Sequence, residues 1–521
     1  MRSSASPLRF LPRAAELYPA KTAIVCGEKR FTYRDYFVRA NRLGNALLHL
    51  GVRRGDRVAY LGGNCHTLLE AYYGVVQTGA VLMPLNIRLR AEDFAFMLNH
   101  AAARTILVDA DFIPVINSIR KHLEVTRDYI AVSPGQSGDY WDYEQMLAAA
   151  PAEYYINPLM SGDDVAELFY TSGTTGKAKG VMLSHRNLYA NAVNFLLSLD
   201  IQSTDVLLHT IPLFHVNGWG TPHAITYAGG THIMIPRFEA RRVLELVARE
   251  KVTICCMVPT MVNTLVNTPE IGSYDLTSLK RIVVGGASSP ETLVRKVEEK
   301  IGCTYIGSYG LTEASPVITN SVLKEHLQSL PSERRHRLQA KAGLPVVGVE
   351  IRVINECGQE IRHDGRETGE VVVRGDTVMS GYWHDAEGTA GVIIDNWLHT
   401  GDMATMDEEG YLQIVDRKKD IIISGGENIS SLEVENILYT HAAVLEVAVV
   451  GEHDEQWGEV PKAFIVLKPG VTQVSGQDMI DFCKARLAGF KVPRRVEFVS
   501  GLPKSGTGKI MKSVLKKAGG D

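Results

Sequence analysis

At 521 residues, with 45% hydrophobic and 22% charged side chains, the chain has an ordinary globular composition and the length for several domains, by a prior of roughly one per 150 residues. Its formal net charge of −4, from 55 basic and 59 acidic residues, supplies no global positive field of the kind nucleic-acid binding needs. Seven cysteines (Cys26, Cys65, Cys255, Cys256, Cys303, Cys357, Cys483) form no CxxC and are odd in number, which points to buried reduced thiols rather than a zinc site or a disulfide framework.

The chain opens on an Arg- and Ser-rich stretch in which Leu8, Leu11, Ala14, Ala15 and Tyr18 already follow helical spacing, so a working helix is expected there rather than an import presequence. Apolar, β-branched runs at Arg57–Leu61, Ala80–Pro84, Thr105–Val108, Val206–Leu208, Thr231–Ile235, Thr253–Val258 and Arg281–Val284 read as strands. Between the first two, Leu68, Leu69, Tyr72, Val75 and Val76 repeat at helical spacing. Strands alternating with helices predict an α/β architecture with mostly parallel, buried sheets. Lys324–Lys341 is strongly polar and is expected as an exposed helical excursion. Beyond it, short strands at Gly369–Arg374 and Tyr411–Val415 among Gly- and Asp-rich turns predict a smaller β subdomain. Arg417–Asp420 is a charged break. The C-terminal hundred or so residues read as a compact α+β module, with helices near Leu432–Tyr439 and Asp478–Leu487 and strands at Val444–Val450, Ala463–Leu467 and Arg495–Val499. The expected division is 1–418 and 419–521, with a short hinge that permits rigid-body rotation. No apolar run reaches the ~18 residues of a membrane span, and a cytoplasmic protein is expected.

Four motifs carry chemistry. Ser172-Gly173-Thr174-Thr175-Gly176-Lys177, preceded by Tyr170-Thr171, is a Gly/Ser/Thr loop beside a strand-like Gly180–Leu183. Its glycines let backbone approach phosphate oxygens, and its N–H groups and hydroxyls donate. It is not a Walker A loop, because only two residues separate Gly173 from Gly176 and Ala178 follows Lys177. Gly285-Gly286-Ala287 and Ser308-Tyr309-Gly310-Leu311-Thr312-Glu313 each follow a short apolar run, where the carboxyl ends of parallel strands face a ligand crevice. There the glycines admit a flat base, Tyr309 can stack on it, and Glu313 is positioned for Mg²⁺, which favours a carboxylate plus substrate phosphate oxygens. Asp402 ends HTGD, where an acid in a tight turn can accept both hydroxyls of a ribose; Arg417 can donate across a strand pair to the same sugar or a phosphate. Lys509, in SGTGK, is a cation on a Gly-rich tip suited to stabilising charge at a reaction centre. His215 and Trp219, in FHVNGW, lie between a strand end and a glycine, where they either pack in the core or line a ligand tunnel.

Together these motifs, in this order, resemble those of the adenylate-forming acyl-CoA synthetases of the acyl-activating, luciferase-like and peptide-synthetase superfamily. The resemblance covers essentially residues 8–518. It implies a large N-terminal domain of two sheet-helix subdomains plus a β barrel, and a small mobile C-terminal domain. It implies ATP, Mg²⁺ and coenzyme A, with Thr171 and Glu313 holding the metal, Thr171 to Lys177 the phosphates, and Tyr309 facing adenine. Asp402 and Arg417 would bind ribose, Lys419 would be the hinge, and Lys509 the adenylation lysine. Gly425 and Gly426 would line the path of the CoA arm, and His215 would sit near the acyl entrance. Pocket depth would depend on Trp219, Val258, Gly285, Gly310 and Val317. The expected partners are a small carboxylic acid, ATP and CoA, with no nucleic acid; a homodimer is expected by analogy only.

Within the superfamily the stretches YGLTEASPVITN and KAGLPVVGVEIRV are most similar to bacterial fatty acyl-CoA synthetases, which implies a medium- to long-chain fatty acid. Asn428 departs from them, because some long-chain members carry Trp there. Short- or medium-chain activators and 3-methylthiopropionate ligases share similar segments; an aryl acid and a non-CoA acceptor are further alternatives. The mixed anhydride activates its own carbonyl, so no protein nucleophile is expected and no cysteine is a candidate.

Overall fold

The computed structural model describes residues 5–133, 138–172, 178–471, 473–504 and 510–518. Buried apolar strands assemble two large, mostly parallel sheets. The nine-stranded sheet runs in the order 344–345, 317–320, 304–310, 281–284, 254–257, 206–209, 231–234, 22–26, 29–32. The eight-stranded sheet runs 381–382, 178–184, 165–172, 81–84, 57–61, 103–108, 128–131, 141–142. Ile254–Met257 is buried at every position, as expected of a parallel strand covered by helices on both faces.

The helix Tyr33–His49 shows how local sequence sets the packing. Thr32 caps it, with Asp35 completing a capping box. Its apolar face crosses the helix His66–Gly74 where a Cβ at Gly74 would come 2.6 Å from the Ala40 carbonyl, so only glycine permits the approach.

A third, antiparallel sheet (349–354, 369–375, 397–406, 393–394, with 412–417 paired to 397–406) corresponds to the expected β subdomain. A fourth (427–429, 422–424, 458–467, 444–454, 495–498) shares no strand with the others and, with the helices Ser431–Tyr439 and Gly476–Lys484, forms the C-terminal α+β module. The two parts are joined by a turn at 418–420 and by hydrogen bonds beside it. Asp416 Oδ2 accepts from the Ser431 N–H at 2.6 Å and its hydroxyl at 2.5 Å, and the Ser430 hydroxyl donates to the Val415 carbonyl at 2.6 Å. No described helix is long and apolar enough to cross a membrane.

The polar stretch 324–341 carries a helix and is mostly exposed or half-buried, as expected, but it is anchored on one side. Its helix, Ser332–Gln339, lies on the helix Glu291–Lys300, with Arg337 paired to Glu291, His336 to Glu298, and His336 buried. Opposite charges on the two helices, rather than an apolar stripe, carry this contact, so hydrophobic periodicity gave no sign of it.

Candidate active site

The strand Val165–Ser172 leads into the phosphate-loop motif, and Ala178–Ser184 returns antiparallel to it with Thr171 opposite Lys179. Thr171 and the Ser172 backbone therefore stand at the strand's carboxyl end; Gly173, Thr174, Thr175, Gly176 and Lys177 lie outside the described residues, as does Lys509. The two-residue strand Gly381–Tyr382 adds to the free edge of Ala178–Ser184. There the Tyr382 hydroxyl donates to Glu313 Oε1 at 3.0 Å, while the Lys179 ammonium lies 4.5 Å from the centre of the Tyr382 ring and 3.4 Å from Asp385. Burial, and then the adjoining Glu313 carboxylate, push the Tyr382 pKa up, so the phenol stays a donor. Glu313 itself sits in the 3₁₀ turn Thr312–Ala314, with Thr312 buried; its carbonyl accepts from the Met379 N–H at 2.8 Å. The two large sheets thus bring Glu313 to the phosphate-loop hairpin.

Asp402 and Arg417 are directly opposed in the pair Trp397–Met406 and Leu412–Arg417. The expectation of Asp402 in a tight turn is corrected: it lies within a strand, although Gly401 before it has φ +70°. Arg417 Nε is 3.3 Å from Asp402 Oδ1, and the Tyr309 hydroxyl donates to Oδ2 at 2.8 Å. Burial, reinforced by the Asp402 charge, raises the Tyr309 pKa well above its ordinary value. One carboxylate therefore ties the antiparallel sheet to the end of the strand Thr304–Gly310.

Gly285 and Gly286 follow the strand Arg281–Val284, with Gly286 at φ +84° and Ala287 exposed. A Cβ at Gly285 would come 2.8 Å from the Ser308 carbonyl and 3.3 Å from Trp219 Cη2, and one at Gly310 would overlap the Pro316 carbonyl. Glycine at 285 and 310 is therefore a matter of space. The Ser308 hydroxyl donates to the Thr319 carbonyl at 3.3 Å.

Trp219 ends a left-handed turn: Val216, Asn217, Gly218, Trp219 and Gly220 have φ of 44, 40, 56, 73 and 85°. Left-handed backbone costs roughly 1–2 kcal/mol for each non-glycine residue, so neighbouring contacts must hold it. The indole is buried in one apolar cluster with Val317, Cys256 and Val283, and Val258 and Tyr309 pack against that cluster. The residues expected to set pocket depth are thus brought together. His215 immediately precedes the turn and is half-buried.

Gly425 and Gly426, both at positive φ, form the two-residue turn of the hairpin Ile422–Ser424/Glu427–Ile429 and are exposed. Trp457 fills the space that a side chain at Gly425 would need. Lys419 is exposed in the turn at 418–420, and its carbonyl accepts from Lys516 Nζ at 3.4 Å.

Sequence reasoning missed Tyr382, which is brought to Glu313 only by the pairing of a two-residue strand, and left Lys179 without a role. It also passed over Glu167 and Asn217, which read as an ordinary strand residue and a loop amide.

Sequence models place this chemistry in a known group. The AMP-binding enzyme model matches residues 11–383, and that of the AMP-binding enzyme C-terminal domain matches residues 433–509. The chain belongs to the AMP-binding enzyme family. It is 35% identical over 531 residues to the 2-methylpropanoate–CoA ligase CCL4 of Humulus lupulus, covering 99% of this chain and 95% of that protein. It is 36% identical over 535 residues to the acetate–CoA ligase CCL3 of the same plant, covering 98% and 94%. Among solved structures it is similar to the anthranilate CoA ligase AuaEII in complex with anthranoyl-AMP, with a TM-score of 0.91 and 28% identity over 100% of this chain and 98% of that one. The family assignment places the chain among the adenylate-forming acyl-CoA synthetases, whose large N-terminal and small C-terminal parts correspond to those of this fold.

Proposed function

We propose that the chain is an AMP-forming ligase that joins an aliphatic carboxylic acid to CoA in two steps. In the first, a carboxylate oxygen attacks the α-phosphorus of ATP, and pyrophosphate leaves. In the second, the CoA thiolate attacks the acyl carbonyl, and AMP leaves. The observation that carries the reading is the pairing of the Asp402 carboxylate with Tyr309 and Arg417, together with Glu313, four residues after Tyr309, at the phosphate-loop hairpin.

Asp402 would accept the ribose hydroxyls, with Tyr309 fixing the carboxylate's orientation and Arg417 donating to the sugar or a phosphate. The ring of Tyr309 would face adenine across Gly285, Gly286 and Ala287. Glu313 presents one oxygen to Tyr382 and has a second for a cation; with Thr171 and substrate phosphate oxygens this donor set suits Mg²⁺. When bound there, Mg²⁺ would neutralise charge on the phosphates. Lys509 would stabilise charge as the carboxylate attacks phosphorus, and so act in the first step. Rotation about Lys419 would then withdraw Lys509 and bring the Gly425–Gly426 face to the crevice for the thiol. The domain division at 418/419 belongs to this proposal.

The acid is proposed from the pocket. The buried Trp219 indole stands behind Gly285, 3.3 Å from where a Cβ there would lie, and would end the acyl pocket at a length suited to a short aliphatic acid. A medium- to long-chain fatty acid would require the indole to swing aside. The names of the two plant relatives, ligases for 2-methylpropanoate and acetate, support the shorter end. The test is AMP release with MgATP across acetate, butyrate, hexanoate, octanoate, palmitate, 3-methylthiopropionate and cinnamate, with and without CoA. CoA-dependent turnover peaking on a short straight chain is the expected result. A peak on an aryl acid would overturn the substrate class, and adenylate formation with no thioester would overturn the acceptor.

A further inference from the structure

A polar network lies directly behind the Trp219 turn and has no part in the two-step chemistry. Glu167, in the strand that leads to Thr171, is fully buried at 0% exposure. A carboxylate withdrawn from water is costly unless its oxygens are hydrogen-bonded. Here Asn217 donates Nδ2–H to Oε2 at 2.6 Å, and His223 donates Nε2–H to Oε1 at 3.1 Å. Asn217 is at the centre of the left-handed turn, two residues before Trp219, and His223 is on the helix Thr221–Ala228 that leaves it. One carboxylate therefore grips the chain on both sides of the indole.

Packing alone does not call for such a group, because apolar residues in place of a buried polar pair are often neutral or stabilising. The network is also incomplete: His223 Nδ1 and Asn217 Oδ1 are buried with no partner among the described residues. From the other side Asn191 donates to the Trp219 carbonyl at 3.4 Å and accepts from the Val317 N–H at 3.3 Å. The turn is thus pinned on one side to the phosphate-loop strand and on the other to the pocket wall.

We propose that Glu167, acting through Asn217 and His223, is the positioning residue that fixes the Trp219 indole and so sets the length of acyl chain the enzyme accepts. This rests on the reading of Trp219 as the end of the acyl pocket. Glu167 touches no reacting atom; its effect is on selectivity between acids.

The test compares kcat/KM for acetate, butyrate, hexanoate and octanoate, read as CoA-dependent AMP release. The full chain is used as wild type, Asn217→Gly, Glu167→Gln, Trp219→Ala, and the Asn217→Gly/Trp219→Ala double variant. Glycine tolerates the φ of +40° at 217, so the substitution removes the grip without adding strain. In Asn217→Gly the hexanoate-to-acetate ratio is expected to move by about tenfold or more while the KM for ATP stays within about twofold. Adding Asn217→Gly to Trp219→Ala should move the ratio no further. Glu167→Gln can still accept from Asn217, and donates to His223 in its other tautomer, so its ratio should stay within about twofold of wild type.

An unmoved ratio in folded Asn217→Gly overturns the inference, as does an equal shift in the Trp219→Ala background or a parallel loss toward ATP. If Asn217→Gly does not fold, His223→Asn removes the other bond and is judged by the same ratio. A Trp219→Ala profile equal to wild type overturns the pocket reading and this inference with it. A shift in Trp219→Ala without one in Asn217→Gly overturns this inference alone.

Discussion

Tyr309→Phe keeps the ring and deletes one hydroxyl, and so isolates the bond that aims Asp402. That bond is 2.8 Å long, partly buried, and runs to a carboxylate. Hydrogen bonds to charged groups are worth about 1.5–3 kcal/mol. The other restraint, Arg417, is 49% exposed at its side chain, and exposed ion pairs typically contribute about 0–1 kcal/mol. The phenol therefore dominates the aim of the carboxylate. Taking the lower end, because Arg417 remains, the loss is about 1.5 kcal/mol, or roughly tenfold in kcat/KM for ATP. The assay is acid-dependent ATP–pyrophosphate exchange at varied ATP. Because the effect runs through Asp402, Tyr309→Phe should cost almost nothing more in an Asp402→Ala background. Because burial and the Asp402 charge raise the Tyr309 pKa, the wild-type KM for ATP should show no loss from this group up to about pH 10. A value for Tyr309→Phe within about twofold of wild type, or the same loss without Asp402, would refute the reasoning.

Glu313→Gln keeps the acceptor for Tyr382 and removes the charge, so it is expected to raise the Mg²⁺ concentration needed for half-maximal pyrophosphate exchange by about tenfold or more; an unchanged Mg²⁺ dependence would remove Glu313 from the metal site. Lys419→Pro should spare adenylate formation while thioester formation falls by about tenfold or more, because proline fixes φ in the turn that would have to rotate; equal loss in both steps would sink the hinge. Stability should fall with acid. Burial lowers the pKa of His185 to about 4 and of His209 to about 3, and holds His232 well below its ordinary value. Below about pH 6.5 the unfolded chain takes up protons that the native chain refuses, so each contributes a loss of up to about 1.4 kcal/mol per pH unit. The apparent Tm should therefore drop between pH 6.5 and 4; a flat profile would contradict the neutral burial of these rings.

The parallel strands were legible because they are buried on both faces and so are written as continuous apolar runs; Arg281–Val284 has the bounds expected from its sequence. The strand Val444–Asp454 runs past the expected Val450 because its polar end is held by the hairpin partner Gly458–Leu467, and backbone pairing leaves no hydrophobic pattern. Gly381–Tyr382 was illegible for a related reason: a two-residue strand exists only because another edge is available to it. HTGD reads as a turn, yet the opposing Arg417 strand draws Asp402 into a ladder. The site residues expected from sequence were those in short local motifs. Tyr382 and Glu167 act on partners 69 and 50 residues away, and a single sequence does not join such separations.

The hydrogen bonds that Ser431 and Ser430 donate to Asp416 and Val415 stand beside the turn about which the small module would rotate. A rotation there would have to break these three bonds. At about 1.5–3 kcal/mol for each of the two bonds to the carboxylate and about 0.5–1.5 kcal/mol for the third, they weigh roughly 3.5–7.5 kcal/mol, at or above the few kcal/mol that separate two populated conformers. If the small module turns as proposed, the division of each cycle between making the adenylate and consuming it would rest in part on two serines at a helix start. Throughput could drift between relatives by changes at those serines alone, with every group in the crevice left as it is.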